Sequence, residues 1–179
     1  MDRPSFRQRI ADPRLRSLYD YWLARRGDRP LLPRADFDPA DLLRLLKFLI
    51  LADVGDAGRA IRYRVVGTEI VAAYGVDYTG WTIQQLTSGP TLDYTYTLYG
   101  AVVGGRLPVY SEGRFRWFER EYRLTRRLHL PLSRGGAEVD MVLAAQVFDV
   151  EQPGRDELLV PARPDEVAAD LAAATTDRR

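Results

Sequence analysis

The stretch 61–86 constrains the fold of this chain more than any other, because its pattern changes from strand to helix at Gly67. Before Gly67, apolar residues alternate with arginines in the sequence IRYRVV, which is the period of a half-buried strand. After it, Ile70 and Tyr74 lie four residues apart on the stripe of a short amphipathic helix. Gly75 stands where a helix end favours a left-handed residue, and the sequence DYTG that follows indicates a tight turn. The stretch therefore predicts a strand that leads through a glycine into a short helix, and no residue in it has the chemistry of a catalyst.

The rest of the chain predicts one antiparallel sheet with helices on one of its faces. Segments 48–54 and 60–66 alternate like a pair of strands around a Gly-rich turn. Residues 91–103 carry an apolar stripe and end at two glycines, which predicts a longer helix. The three strands expected after this helix cover 107–117, 119–132 and 139–148. We expect an α+β fold in which residues 45–150 form a five-stranded antiparallel sheet.

Residues 1–44 predict a helical extension in front of this sheet. Asp12 can cap the free N–H groups of a helix, and Pro13 suits its first position. The helix that follows has its apolar residues at i, i+3, i+4 and i+7. This stripe consists of Leu15, Leu18, Tyr19 and Trp22. It must dock either on the chain's own sheet or on another protomer.

Residues 151–179 differ in composition from the rest, being rich in Pro, Ala, Asp and Arg. Residues 164–174 could form a helix, since acidic residues suit its first turn. Its apolar face is small, so its docking would be weak. We therefore expect a largely flexible tail.

The composition is ordinary for a soluble protein of the cytoplasm. The 179 residues are 46% hydrophobic and 28% charged, which suits one domain with a sizeable core. No apolar run approaches the ~20 residues of a membrane-spanning helix. The first ten residues lack the apolar segment of a secretory signal. We expect a cytoplasmic location and no membrane partner.

The charge balance argues against nucleic acid as a partner. The chain has 26 basic and 25 acidic residues, a net charge of +1, so no general attraction to phosphate exists. Residues 114–121, RFRWFERE, do interleave arginines with aromatic rings, as single-strand binders do. Glu119 and Glu121 dilute that charge, and the same pattern fits an amphipathic hairpin. A nucleic-acid-binding regulator is therefore the least favoured class of function.

Catalytic groups are sparse. The chain has no cysteine, which excludes disulfides, thiolate nucleophiles and cysteine-bound metals. Its only histidine, His129, lies in a predicted strand between two leucines, and a lone histidine is more often structural than a metal ligand. No phosphate-binding loop or nucleophile elbow occurs. We expect no enzymatic activity, no metal and no cofactor.

The ordered set of elements resembles the PAS domain, a small sensor and interaction module. The resemblance rests on the strand, glycine and short helix of 61–74, on the sequence D-x-T-G-x-T-I-x-x-L at 77–86, and on the order of strands and helices around them. It is closest to the PAS_5 family and covers residues 45–150. It implies a signal-sensing or docking role. Flanking helices commonly dock between PAS protomers, so we predict a homodimer through Leu15, Leu18, Tyr19 and Trp22.

A ligand pocket is expected between the sheet and the long helix. Sensor pockets are mostly apolar, with a few placed polar groups, and the chain has 10 Tyr, 6 Phe and 3 Trp. The alternation of the predicted strands turns one set of side chains toward a shared face, which we take as the pocket side. The predicted lining residues are Tyr74, Tyr96 and Tyr99 on the helices and Tyr122, Leu124, Arg126, Met141 and Leu143 on the strands. The alternative is a fully packed core without a cavity.

Arg126 could anchor an acidic group of such a ligand. Strict alternation turns it toward the core, where a charge needs a partner, and arginine binds carboxylates through two parallel hydrogen bonds. Two alternatives stay open. A bulge at 126–127 could return the side chain to solvent, or a carboxylate of the chain, such as Glu112 or Asp93, could pair with it.

Two classes of function follow from these features. As a sensor, the protein binds a small ligand that shifts it between states, which requires different affinities for the two states. As an adaptor, it has a solid core and docks on a signalling partner or on a second copy of itself. An open cavity favours the sensor, and a packed core with an exposed apolar patch favours the adaptor.

Overall fold

The computed structural model describes residues 4–115, 123–152 and 156–176. Its helices are α1 (Phe6–Arg9), α2 (Pro13–Arg26), α3 (Thr68–Tyr74), α4 (Ile83–Leu86), α5 (Gly89–Gly105) and α6 (Pro164–Thr176). Its strands are β1 (Leu32–Pro33), β2 (Leu49–Gly55), β3 (Ala60–Val66), β4 (Val109–Phe115), β5 (Arg123–Ser133), β6 (Met141–Asp149) and β7 (Leu158–Pro161). Short 3₁₀ turns occupy Arg34–Asp36, Pro39–Leu42, Leu46–Phe48 and Asp56–Gly58.

A seven-stranded sheet forms the centre of the molecule. Six strands run in the order β3-β2-β6-β5-β4-β7, each antiparallel to its neighbours. The seventh, β1, adds a short parallel pair to β5. Strands β2 to β6 are the predicted five-stranded antiparallel sheet, so the predicted α+β fold is confirmed, and β1 and β7 extend it.

Gly67 makes the change from β3 to α3 that the sequence pattern indicates. A Cβ atom at this position would collide with the carbonyl group of Lys47 and would lie 2.7 Å from the carbonyl oxygen of Leu46. Only glycine lets the two backbones approach so closely. The Gly67 N–H donates to the carbonyl oxygen of Leu49 at 2.8 Å, which fixes the point where α3 leaves the sheet.

Helices cover both faces of the sheet. Helices α3, α4 and α5 pack on one face, which we call the α5 face. Its buried strand residues include Ile50, Ala52, Val142 and Ala144. The extension, with α1 and α2, packs on the opposite face together with α6; we call this the α2 face. Its buried strand residues include Leu49, Leu51, Leu143 and Ala145.

The apolar stripe of α2 is buried on the chain's own sheet. Its residues Leu15, Leu18, Tyr19 and Trp22 are at most 1% exposed. Trp22 Nε1 also donates to the carbonyl oxygen of Pro131 in β5 at 3.1 Å. The stripe is therefore unavailable as a dimer interface in this fold, contrary to the sequence-based expectation, because the α2 face of the sheet is itself apolar and accepts it. Homodimerisation through another surface stays a prediction.

The C-terminal segment adds structure where the sequence predicts a largely flexible tail. Within residues 156–176, β7 pairs with β4, and α6 packs against α1 and α2. Asp170 Oδ2 accepts hydrogen bonds from the Tyr19 hydroxyl and the Arg7 N–H, both at 3.1 Å. Glu166 accepts one from the Arg9 guanidinium at 2.5 Å. Acidic side chains therefore dock this helix, which is why its small apolar face is a poor guide to its docking.

Candidate functional site

A pocket lies between α5 and the sheet on the α5 face. An inner cavity of about 80 Å³ adjoins an outer one of about 210 Å³. The two share the lining residues Tyr74, Thr91, Tyr94 and Arg127. Other side chains around the inner cavity are those of Ile50, Tyr63, Tyr78, Ile83, Leu98, Tyr99, His129 and Gln146. We call the two cavities together the α5 pocket.

Tyrosines from β3, from α3 and the loop after it, and from α5 line the pocket. Their rings meet edge to face: the centroids of Tyr63 and Tyr78 lie 4.7 Å apart, and those of Tyr74 and Tyr78 lie 5.5 Å apart. Burial raises the pKa of Tyr63, Tyr78 and Tyr99. Their hydroxyls therefore stay protonated and can both donate and accept hydrogen bonds.

The strands supply polar groups from alternate positions of β5 and β6. Gln146 accepts a hydrogen bond from the Tyr74 hydroxyl at 3.3 Å and donates one to Thr125 Oγ1 at 3.0 Å. Arg127 and His129 lie on the same face of β5, beside Gln146 and Ala144 of β6. The side of the pocket that β5 and β6 form is therefore polar, whereas tyrosine rings line the rest of it.

His129 is buried in this wall as a neutral base. Loss of hydration, together with the smaller effect of the nearby charge of Arg127, lowers its pKa to about 3. Its ring meets that of Tyr99 edge to face, with centroids 5.2 Å apart. Within the described residues, Nδ1 has no hydrogen-bond partner, an arrangement that costs free energy unless another group or water satisfies it.

Arg127 is the cation that lines both cavities, and Arg114 also lines the outer one. Its side chain is 14% exposed, and its guanidinium carbon lies 5.5 Å from the ring centroid of Tyr94. Its Nη1 pairs with Glu157 Oε2 across 3.7 Å. The hydroxyls of Ser111 and Tyr94 lie close by, and within the described part of the chain neither has a hydrogen-bond partner. This end of the pocket thus has a cation and incompletely satisfied polar atoms.

The structure brings only part of the predicted site together. Tyr74 and Tyr99 line the pocket. Tyr96 lies outside the residues that line it; its hydroxyl accepts a hydrogen bond from Gln84 Nε2 at 2.7 Å. Leu124, Met141 and Leu143 are buried on the opposite face of the sheet. Tyr122 lies outside the described residues, as does most of the segment RFRWFERE.

Arg126 points to the α2 face, away from the pocket. Its Nε donates to Glu112 Oε1 at 3.2 Å, its Nη2 to Gln152 Oε1 at 3.2 Å, and its Nη1 lies 3.5 Å from Asp149 Oδ2. The expected role as an anchor in the pocket does not fit this geometry. The alternative in which Glu112 pairs with it is what the structure shows.

The strand residues predicted for the pocket, Leu124, Arg126, Met141 and Leu143, do share one face of the sheet. That face is the more apolar one and is not the face of the α5 pocket. The structure gives that side to α2. The missed residues are the polar set Arg127, His129 and Gln146, with Tyr63, Tyr78 and Tyr94. The apolar stripe of α2 was the signal that could have found them, since it needs the more apolar face for itself.

Other sites are less developed. A wider open groove of about 690 Å³ lies between the C-terminal end of α2 and the length of α6, and Arg106 and Leu107 also line it. Across the described ranges, no group of three or more His, Asp or Glu side chains is placed to hold a metal ion. In the same ranges, no helix is both long and apolar enough to cross a bilayer.

Comparison with known proteins identifies the family. The model of the PAS_5 family, described as a PAS domain, matches residues 10–144. The chain belongs to the PAS_5 family. The match begins ahead of α2 and ends within β6, so it takes in that helix and strands β1 to β5.

Solved structures give a fainter likeness to this PAS domain. The PAS domain of Bordetella pertussis BvgS has 12% identity with it and a TM-score of 0.47, over 79% of this chain and 99% of that one. No curated protein matches the chain.

Proposed function

We propose that this PAS domain is a signalling protein that senses a small molecule in the α5 pocket. The observation that carries the proposal is the pocket itself, in which tyrosine rings surround buried polar atoms that lack good partners. Such a mixture of apolar walls and a few convergent polar groups is typical of ligand sites. Membership of the PAS_5 family supports a signalling or sensory role.

The protein works in this proposal by binding and not by turnover. The groups that line the α5 pocket suit recognition: protonated tyrosines, a neutral histidine, an amide and a guanidinium. Hydroxyl and amide groups can hold a ligand in one orientation, and the rings can cover its apolar surface. The cytoplasmic location expected from the composition stays a prediction.

Native mass spectrometry of freshly purified protein, with a thermal-shift screen of small molecules, tests the proposal. Thr91 lines both cavities, and Thr91→Trp would fill the space between them. Thr97→Trp is the matched control, because Thr97 is an exposed residue of the same helix and does not line the pocket. A bound molecule should be present in the wild type and in Thr97→Trp and absent from Thr91→Trp.

Two results would contradict the proposal. One is a ligand that Thr91→Trp binds as well as the wild type does, since it would have to bind elsewhere. The other is a wild type without any bound molecule and without a melting shift across the screen. The second result would leave the protein as an adaptor.

A partner protein is the second candidate, and the outer strand β3 favours it. This strand ends the sheet on one side, and residues 80–82 hydrogen-bond to the part of its outer edge around Tyr63, which leaves the end of the strand around Val65 open. Val65 on it is 49% exposed, and Trp81 beside it is 37% exposed. Exposed sheet edges with apolar side chains can pair with another chain. Light scattering of the wild type and Val65→Lys tests this: a dimer that Val65→Lys disrupts supports the edge as its interface, and a monomeric wild type at tens of micromolar rules out self-association there.

A further inference from the structure

We infer that the ligand of the α5 pocket is a small carboxylate with an apolar body, which binds Arg127 in place of Glu157 and thereby loosens β7. The inference rests on the proposed function and adds to it the ligand's charge and the route of the signal. It follows from four observations: the charges of the pocket, the loose contact of Glu157, the space over Gly113 that Glu157 occupies, and the position of Glu157 in the chain.

The charged side chains that line the pocket favour an anion. Arg127 lines both cavities, and Arg114 lines the outer one, against the single carboxylate of Glu157. His129 also lies in the wall. It is neutral, and its Nδ1 has no hydrogen-bond partner among the described residues. A carboxylate inside the pocket would therefore find a guanidinium that can hold both of its oxygens. The tyrosine rings would cover an aromatic or aliphatic body.

Glu157 holds Arg127 only loosely. The 3.7 Å between Nη1 and Oε2 exceeds the length of a charge-assisted hydrogen bond, and Glu157 is 39% exposed. Exposed ion pairs of this kind contribute little to stability. A ligand carboxylate at full contact with the guanidinium would replace a weak interaction by a stronger one, so the exchange favours the ligand.

Gly113 makes room for Glu157. The carboxyl group of Glu157 lies where a Cβ atom of Gly113 would be. Gly113 is a strand residue of β4, on the same face of the sheet as Ser111 and Phe115. The carboxylate of Glu157 thus occupies a space over β4. Any side chain larger than that of glycine at position 113 would fill this space.

The position of Glu157 in the chain connects the pocket to the C-terminal segment. It directly precedes β7, whose only strand partner within the described residues is β4. Beyond β7, α6 docks on the α2 face through Glu166 and Asp170. Loss of the contact between Glu157 and Arg127 would release the residue that leads into this edge strand. The binding of a ligand on one face would thus change a segment that ends on the other.

Paired acids and amides test the charge of the ligand. The probes are octanoate, phenylacetate and indole-3-acetate, each with its primary amide, titrated by calorimetry into the full chain. At least one acid should bind at least about tenfold more tightly than its amide, since hydrogen bonds between charged groups contribute that much. Arg127→Gln should abolish the difference. Arg127→Lys, which keeps the charge without the two-pronged geometry, should retain part of it and guards against a variant that does not fold.

Glu157→Gln tests the competition. Removal of the competing carboxylate should raise the affinity for the acid about two- to fivefold and leave the affinity for the amide unchanged. Glu69→Gln is the matched control, because Glu69 also forms an exposed ion pair, with Lys47, on another surface. It should change neither affinity.

Hydrogen exchange tests the release of β7. Amides of β7 should exchange several-fold faster when the acid is bound, while those of β2 stay unchanged. Gly113→Ala should give the same faster exchange without ligand, since it displaces the Glu157 side chain without altering its charge.

The outcomes separate this inference from the proposed function. Amides that bind as tightly as their acids would overturn the inference and leave the pocket as a sensor site. Failure of every acid to bind, lower acid affinity in Glu157→Gln, or β7 exchange that is slower or unchanged with acid bound would also overturn it. The proposed function is decided independently, by the comparison of Thr91→Trp with Thr97→Trp.

Discussion

Both faces of the sheet are buried, but they differ in their side chains and in how completely they are packed. The α2 face is filled by leucines of β5 and β6, by the stripe of α2 and by the rings of Phe6, Tyr19 and Trp22. The α5 face combines aliphatic side chains with tyrosines and leaves the α5 pocket between them. Because adjacent strand residues point to opposite sides, one strand can contribute to both faces at once.

Neighbouring arginines show the difference at the level of single residues. Arg126, on the α2 face, reaches Glu112, Asp149 and Gln152. Arg127, one residue later, points to the α5 face and has a loose pair with Glu157. A well-partnered charge is a structural element, whereas a loosely partnered one beside a cavity is available to a ligand. The faces should therefore respond differently to the same kinds of change.

The largest effect is expected from Trp22→Ala on the α2 face. Trp22 is fully buried and donates a hydrogen bond to Pro131, so its removal should lower the free energy of unfolding by about 3–5 kcal/mol. Trp81→Ala is the control, because Trp81 is 37% exposed, and it should cost much less. Denaturant unfolding measures both. A Trp22→Ala protein that kept its stability and changed only its oligomeric state would show that α2 docks between protomers after all.

The strands, the helices and the turn at Gly67 can be predicted from the sequence, since they depend on local periodicity and on one close backbone contact. The face on which the pocket lies cannot be predicted in this way. Alternation tells which strand residues lie together, as it does for Leu124, Arg126 and Leu128, but not which helix covers them. That choice depends on the competition of α2 and α5 for the more apolar face, which only the whole fold settles.

The docking of the C-terminal segment was also beyond local reasoning. Glu166 and Asp170 look like residues of a solvated helix turn, and their partners Arg9 and Tyr19 lie some 150 positions earlier in the chain. The pairing of Arg126 with Glu112 was within reach, because a charge that alternation turns inward needs a partner. The sequence alone could offer this pairing only as one of several.

An intermediate effect is expected from pH on the α5 face. The pKa of His129 falls from 6.5 to about 3 in the folded protein, so the unfolded chain binds a proton more readily than the folded one. Stability should then fall as the pH drops below 6.5, by about 2 kcal/mol between pH 7 and pH 5. His129→Gln should lack this part of the pH dependence. Unfolding curves of the two proteins over this pH range measure the difference, and parallel changes in stability would contradict a buried, neutral His129.

The smallest effects are expected from the removal of one hydroxyl on each face. Tyr19→Phe removes the donor to Asp170 on the α2 face and should cost about 1 kcal/mol. Tyr94→Phe removes a hydroxyl on the α5 face without a well-placed partner among the described residues and should change stability by less than about 0.5 kcal/mol. Thermal and denaturant unfolding compare the two. Equal costs would mean that Tyr94 is as well bonded as Tyr19, and the contrast between the faces would weaken.

The central claim is that the ligand cavity of this PAS domain lies between α5 and the sheet, whereas the space between α2 and the sheet is packed. Xenon tests it without knowledge of the ligand, because it enters apolar cavities that have room for it. Methyl NMR spectra of the isotope-labelled protein should be recorded with and without xenon pressure. The account predicts shifts at Ile50, Ile83 and Leu98 around the pocket and none at Leu49, Leu128 and Leu143 on the α2 face. Shifts confined to the α2 face, or shifts on neither face, would contradict it.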